Sequence, residues 1–313
     1  MTNRRLIGLA VGLSALLGAS GLARANDVYI PLISKGFQHQ FWQAVKAGAE
    51  QAAKEANVKI TFEGPETEAM VDKQIDMLSA DLAKHPNAIG FAALDSKAAI
   101  PLLKKAQAGN IPVIAFDSGV DSDIPLATCT TDNLAAAGLA ADKMAEMIGD
   151  SGEVAVIVHD QTSRTGIDRR DGFLKEMKEK HPNVKIVSVQ YGAGDHLKSA
   201  EIAKTIIQAN PNLKGIFGAN EGSADGAAIG IKESGKKVVL IGYDSGKEQK
   251  DDILSGLMAG AITQNPVGIG RCVVESALKA LKGEKLPKII DTGFYWYDKS
   301  NMTDPKVAAV LYD

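Results

Sequence analysis

Short, continuously apolar runs rich in β-branched residues recur along this chain, each followed by a helical pattern, and that alternation restricts it to βαβ units built on parallel sheets. The runs lie at 27–34, 58–63, 88–93, 112–117 and 125–130, then in a second series at 153–159, 185–190, 215–220, 237–244 and 259–264. A strand covered by helices on both faces has no polar side to show, and Val-Ala-Val-Ile-Val at 154–158 reads that way. Between the first two runs, Val45, Ala49, Ala52 and Ala53 fall on one side of a helix expected over 41–56. Pro86, Pro182 and Pro211 each stop a helical pattern. Two series of five strands predict an α/β protein of two similar, doubly wound parallel-sheet lobes, and 313 residues suffice for both.

Ligands of such sheets bind beyond the carboxyl ends of the strands. There the sequence is polar: Lys35 and His39 after the first run, Asp95 after the third, Asp117 and Ser118 after the fourth. The second series offers 160–169, Asn220 with Glu221, Asp244, and Gln264 with Asn265. Long polar side chains gathered at strand ends imply a polar ligand between the lobes.

Several other chemistries are excluded. The 35 basic and 38 acidic residues leave a charge of −3, so the surface is not built to neutralise phosphates and nucleic acid is not an expected partner. No G-x-G-x-x-G opens the first helix and no P-loop is present, so no nucleotide cofactor is expected. His39, His85, His159, His181 and His196 are scattered without ligand spacing, so no metal site is expected. No G-x-S-x-G sits at a strand-to-helix elbow, and no catalytic residue is assigned.

Residues 1–25 join Arg4 and Arg5, an apolar stretch from Leu6 to about Leu17, and Ala23-Arg24-Ala25. This is the three-part pattern of a secretory signal peptide, expected to be cleaved after Ala25, and its apolar stretch is short of the ~20 residues of a membrane span. The remaining chain would carry 32 basic and 38 acidic residues and reside in the periplasm.

Taken in order, these segments resemble the periplasmic sugar-binding proteins of ABC transporters, in the ribose-, galactose- and allose-binding group. The resemblance covers 27–298 and rests on Gln38-His39-Gln40-Phe41-Trp42, Asp117, Thr131-Asp132-Asn133, Asp168-Arg169-Arg170-Asp171-Gly172-Phe173, Gly218-Ala219-Asn220-Glu221, Ile241-Gly242-Tyr243-Asp244 and Thr263-Gln264-Asn265-Pro266. It implies the type I periplasmic binding protein architecture. Lobe one would hold 26–131 plus 266–291 and lobe two 133–263 plus 295–313, with crossings near 131–133, 264–266 and 291–295 forming a hinge. It also implies a monomer that binds a monosaccharide or polyol, catalyses nothing, and delivers its ligand to a membrane ABC permease. A chemoreceptor or kinase ectodomain is a further docking partner of such proteins.

By matching position, Asp117, Arg169, Asn220, Asp244 and Gln264 carry the polar contacts, and Phe41 and Trp42 the aromatic ones, since a sugar presents both hydroxyls and C–H faces. The bland alternatives are helix caps for Asn220 and Asp244, and a surface ion pair with Asp168 or Asp171 for Arg169. The chain departs from the ribose pattern at Lys35, His39, Ala92 and Ser118. Those changes imply another pentose, a hexose, a polyol or a sugar with an acidic group; Lys35, His39 and Ser118 join the expected ligand residues. A transcription regulator of the LacI type would need a DNA-binding segment before the first strand, and a sugar-active enzyme would use Asp117 or Asp244 as acid or base; neither reading finds its remaining parts. Cys129 and Cys272 fall in the same lobe by this topology, where a disulfide and two separate buried thiols are both open.

Overall fold

A computed structural model of the chain describes residues 28–312, so the expected cleavage after Ala25 lies outside the described residues. The first series runs β1 (Tyr29–Ile33), α1 (Gln40–Ala56), β2 (Lys59–Glu63), α2 (Val71–Ala83), β3 (Ile89–Phe91), α3 (Ile100–Ala108), β4 (Val113–Phe116) and β5 (Ala127–Thr130). The second runs α4 (Asn133–Ile148), β6 (Gly152–Val158), α5 (Arg164–Lys180), β7 (Val184–Tyr191), α6 (His196–Ala209), β8 (Leu213–Gly218), α7 (Glu221–Ser234), β9 (Val239–Tyr243), α8 (Lys247–Ser255) and β10 (Gly260–Gln264). Then follow α9 (Pro266–Leu281), β11 (Ile289–Asp291), β12 (Phe294–Tyr297) and α10 (Pro305–Ala308). No described helix is long and apolar enough to cross a membrane.

The strands form two sheets, ordered β11-β5-β4-β3-β1-β2 and β12-β10-β9-β8-β6-β7. Neighbours pair in parallel except β12, which runs antiparallel to β10. The first five strands of each sheet therefore repeat one order, 2-1-3-4-5, whose switch point lies between the first and third strands. Every expected run coincides with a strand, but β11 and β12 were not expected: Ile-Ile-Asp and Phe-Tyr-Trp-Tyr are short, mostly half-buried or exposed, and not separated by a helical pattern. Continuous burial holds inside the sheets, as in β4 and β10, and fails at the edges, where β2 and β7 are half-exposed.

The chain passes from the first sheet to the second between β5 and α4, returns between β10 and α9, and passes over again between β11 and β12. On its return, α9 packs against α1 beneath the first sheet, where Ile269, Val273, Val45 and Ala49 join Ile114 and Phe116 in one buried cluster. The two helices meet backbone to backbone: a Cβ on Gly270 would lie 1.9 Å from the Val45 carbonyl oxygen, and one on Gly48 2.1 Å from that of Val267. Gly270→Ala is expected to force the helices apart at a cost of about 1–3 kcal/mol, measurable as a lower urea midpoint with the slope unchanged. A disulfide joins Cys129 of β5 to Cys272 of α9 and so fastens this returning helix to the sheet it covers.

The tail after β12 packs on the second sheet's layer through Val307 and Leu311. Its end crosses over: Tyr312 joins the buried cluster of the first sheet, with its ring 6.3 Å from that of Phe41.

Candidate functional site

The carboxyl ends of the two sheets face one another across a narrow space lined by Lys35, His39, Phe41, Trp42, Glu68, Asp117, His159, Thr165, Arg169, Asn220, Asp244 and Gln264. Nine of the ten sequence-expected residues are therefore brought together. The exception is Ser118, which is fully buried but does not line the space. Asp117 turns the chain through a left-handed conformation (φ 55°), and Ser118 continues into the lobe, where its carbonyl accepts from Ala93 N. Glu68, His159 and Thr165 escaped the sequence reading. Glu68 comes from the loop after the edge strand β2, whereas His159 directly precedes and Thr165 lies within the polar segment 160–169 that follows β6.

Equivalent strand ends of the two sheets supply matching groups. Asp117 follows β4 and Asp244 follows β9, the fourth strand of each sheet, and both hold positive φ (55° and 84°). Non-glycine residues rarely adopt that conformation, and such strain gathers at functional sites. Ladder-like bonds hold each turn, Asp117 N to Cys129 O at 2.8 Å and Asp244 N to Ile262 O at 2.6 Å. Their carboxylates differ. Asp244 is satisfied by the protein, accepting from Glu221 N (3.0 Å) and Gln264 Nε2 (2.7 Å), while Gln264 Oε1 accepts from Thr131 Oγ1 (2.8 Å) at the first crossing. The Asp117 carboxylate has no hydrogen bond from another described residue, and burial, against the pull of Lys35 and Arg169, pushes it up to about 7.

Lys35 is buried and surrounded by acceptors: Thr165 Oγ1 at 3.3 Å, Glu68 Oε2 at 3.5 Å and Asp160 Oδ2 at 3.7 Å. Burial alone would lower its pKa, but Glu68, Asp160 and Asp117 outweigh it and hold the ammonium above the usual lysine value. Glu68 in turn accepts from Trp42 Nε1 at 2.8 Å, and despite its burial the Lys35 ammonium and this hydrogen bond hold it near 2. Lys35 is thus an ion-paired wall of the site and not a solvated side chain.

His39 has a defined tautomer. Gln38 Oε1 accepts from Glu68 N (2.8 Å), which turns the Gln38 amino group toward His39 Nε2 (3.1 Å) and Gly194 O (3.1 Å). His39 Nε2 is therefore an acceptor, and the ring proton sits on Nδ1, which is buried without a protein partner. Burial lowers the pKa of His39, so the ring is neutral. His159, lowered to about 3 by burial and then by Lys35, is neutral as well.

Arg169 makes no surface ion pair; Asp168 and Asp171 bind Arg164 and Arg170 instead. Its guanidinium lies 3.8 Å over the Tyr243 ring, with Nε donating to Asn133 Oδ1 (2.7 Å) and Nη1 to Ala219 O (3.0 Å). Tyr243 OH also donates to Asn133 Oδ1 (3.0 Å), so one asparagine orients both planes. Asn220 both caps α7, accepting from Ser223 N at 2.9 Å, and lines the site, which leaves its amino group to donate. Phe41 and Trp42 pack edge to face at 5.0 Å and belong to the core and to the lining at once. Tyr191, beyond the lining, accepts from Arg170.

The two sides also touch outside the cavity. Glu221, which opens α7, accepts from Gln40 N (2.8 Å) and Phe41 N (3.1 Å), so its carboxyl caps the amino end of α1, where His39 gives no side-chain cap, while burial and then Asp244 push its pKa up to about 7. Ser96 N donates to Thr162 O (2.9 Å), and Lys247 N donates to Gln40 Oε1 (2.7 Å). The geometry is that of a closed cleft lined by buried donors and acceptors, two aromatic rings and paired charges.

The chain is 29% identical over 289 residues to the D-allose-binding periplasmic protein of Escherichia coli, covering 89% of this chain and 91% of that protein. It is 27% identical to the D-apiose import binding protein of Actinobacillus succinogenes, over 77% of each. Among solved structures, it superimposes with a TM-score of 0.88 on a carbohydrate transporter solute-binding protein from Agrobacterium radiobacter in complex with D-arabinose, at 34% identity, covering 91% of this chain and 99% of the other. An ABC transporter solute-binding protein from Agrobacterium vitis with bound D-fucose matches at 0.88 and 33% identity, covering 91% and 100%. With residues 30–285 matched by its model, the chain belongs to the periplasmic binding protein domain family.

Proposed function

We propose that this chain closes its two lobes around one neutral monosaccharide and presents the closed form to an ABC permease. It is a sugar-binding protein of transport and not an enzyme, as its relatives are named for binding and import. The observation that carries the ligand class is charge balance. Lys35 is matched by Glu68 and Asp160, and Arg169 faces Asp244 and Asp117, so no cation is left for an acidic sugar. Asp117, His39 Nδ1 and the Asn220 amino group instead offer an acceptor and two donors to hydroxyls, and Phe41 and Trp42 offer faces for C–H groups. Export with cleavage after Ala25, a periplasmic location and a monomeric state belong to the same reading.

The Asp117 carboxylate also explains why closure requires the ligand. Closing over an empty site strands that buried charge, whereas ligand hydroxyls would satisfy it. The ionised form is the better acceptor, so affinity is expected to be full above about pH 7 and to fall below it, by up to about tenfold per unit. Titration calorimetry from pH 5 to 8 measures this; Asp117→Asn is expected to bind more weakly and to flatten the profile, and a profile as steep as that of the unaltered protein would remove Asp117 from ligand contact.

The test of the function is a thermal-shift screen against arabinose, fucose, tagatose, allose, apiose, ribose, polyols and sugar acids. A bound neutral sugar at a hundredfold excess over Kd stabilises by about 2.7 kcal/mol. Response to sugar acids alone, or to none of the set, would overturn the reading.

A further inference from the structure

Outside the cleft, three side chains from three helices of the second lobe converge. His196 opens α6, Asp225 lies one turn into α7, and Glu248 is in the first turn of α8. One imidazole nitrogen and one oxygen of each carboxylate lie within 4.8 Å of one another, with His196 Nε2 3.9 Å from Asp225 Oδ2. A second observation concerns Asp225 itself. It is only 4% exposed, and its Oδ1 is buried with no hydrogen-bond partner. A carboxylate so placed is costly unless a cation lies beside it.

We infer that His196, Asp225 and Glu248 form a binding site for a divalent cation of the zinc class. An imidazole with two carboxylates suits zinc better than calcium or magnesium, which prefer all-oxygen sets. With metal–ligand bonds of about 2.0–2.2 Å, the cluster must contract by roughly an ångström. Glu248 is exposed and His196 half-buried, so both have room to move, while Asp225 stays anchored in the lobe. The site is open to solvent on their side, and water completes the coordination. His181, which lies before β7 where His196 lies after it, gives a contrast: its two ring nitrogens are already taken by Asp142 (2.9 Å) and Asp150 (2.7 Å), leaving no lone pair for a metal. On its other face the His196 ring lies parallel to that of His39 at 5.9 Å, at the lip of the sugar cavity.

Zinc chloride titrated into the full exported chain, free of any polyhistidine tag, with a chromophoric chelator as competitor, tests this site. One ion per chain is expected, with affinity reduced at least tenfold in Asp225→Asn and in His196→Ala, and unchanged in His181→Ala. Asp225→Asn keeps the side chain's shape and removes the buried charge, so it is expected to fold; a thermal midpoint without zinc no lower than that of the unaltered protein reports that it does. Zinc should raise the midpoint of the unaltered protein and not that of Asp225→Asn. No bound zinc, equal binding in Asp225→Asn, or loss in His181→Ala alone would overturn the assignment, and each result stands independently of which sugar the cleft takes.

Discussion

Arg169→Ala is expected to weaken sugar binding by two to three orders of magnitude, the largest effect of any single change in the cleft. The guanidinium is 3% exposed, stacked on Tyr243, and fixed by Asn133 and Ala219, and it is the cation opposite Asp244 and Asp117. Removing one partner from a buried set of charges costs about 3–5 kcal/mol, because the remaining carboxylates are left uncompensated when the cleft closes. Arg169→Lys is expected to recover little: an ammonium keeps the charge but loses the planar fork that meets Asn133 and Ala219 together. Titration calorimetry with the sugar found by screening measures both variants, alongside urea unfolding to follow the fold. An affinity within threefold of the unaltered protein would make Arg169 a structural residue only.

Cys272→Ser is expected to act on stability alone. The bond from Cys129 closes a span of 143 residues, and cross-links over spans of that order restrict the unfolded chain by about 4–5 kcal/mol, with measured losses of about 2–5. For a chain of this size that is a fall of roughly 5–15 °C in Tm. Both cysteines lie beneath the first sheet and neither lines the cavity, so sugar affinity is expected to stay within about twofold. A reducing agent should reproduce the Tm loss in the unaltered protein and have no effect on the variant. An unchanged Tm would mean that the exported protein carries two thiols.

β1 to β10 were legible as β-branched runs between helical patterns, most plainly in the sheet centres, where a strand buried on both faces must be apolar throughout, as Val-Ala-Val-Ile-Val is. β11 and β12 were not, because no helical pattern separates these edge strands of three and four residues, and their places are set by pairing with β5 and β10. The site followed the same division. Asp117, Asn220, Asp244 and Gln264 stand at strand ends or just before helices, and Arg169 in the second turn of α5, where position in the chain already implies position in the cleft. Ser118 stands beside Asp117 in sequence, yet one left-handed residue sends it elsewhere, and backbone dihedrals are not written in residue type.

The sequence by itself determined two similar parallel-sheet lobes and a polar ligand between them, since hydrophobic periodicity and the chemistry at strand ends are local properties. Only the tertiary structure decided which charges meet. Lys35 finds Glu68 and Asp160 across distances of 33 and 125 residues, the tautomer of His39 depends on Gln38 and Glu68, and His196, Asp225 and Glu248 arrive from three separate helices. Coulombic and hydrogen-bond energies depend on ångström separations between side chains distant in sequence, and those separations are set by the packing of both lobes together.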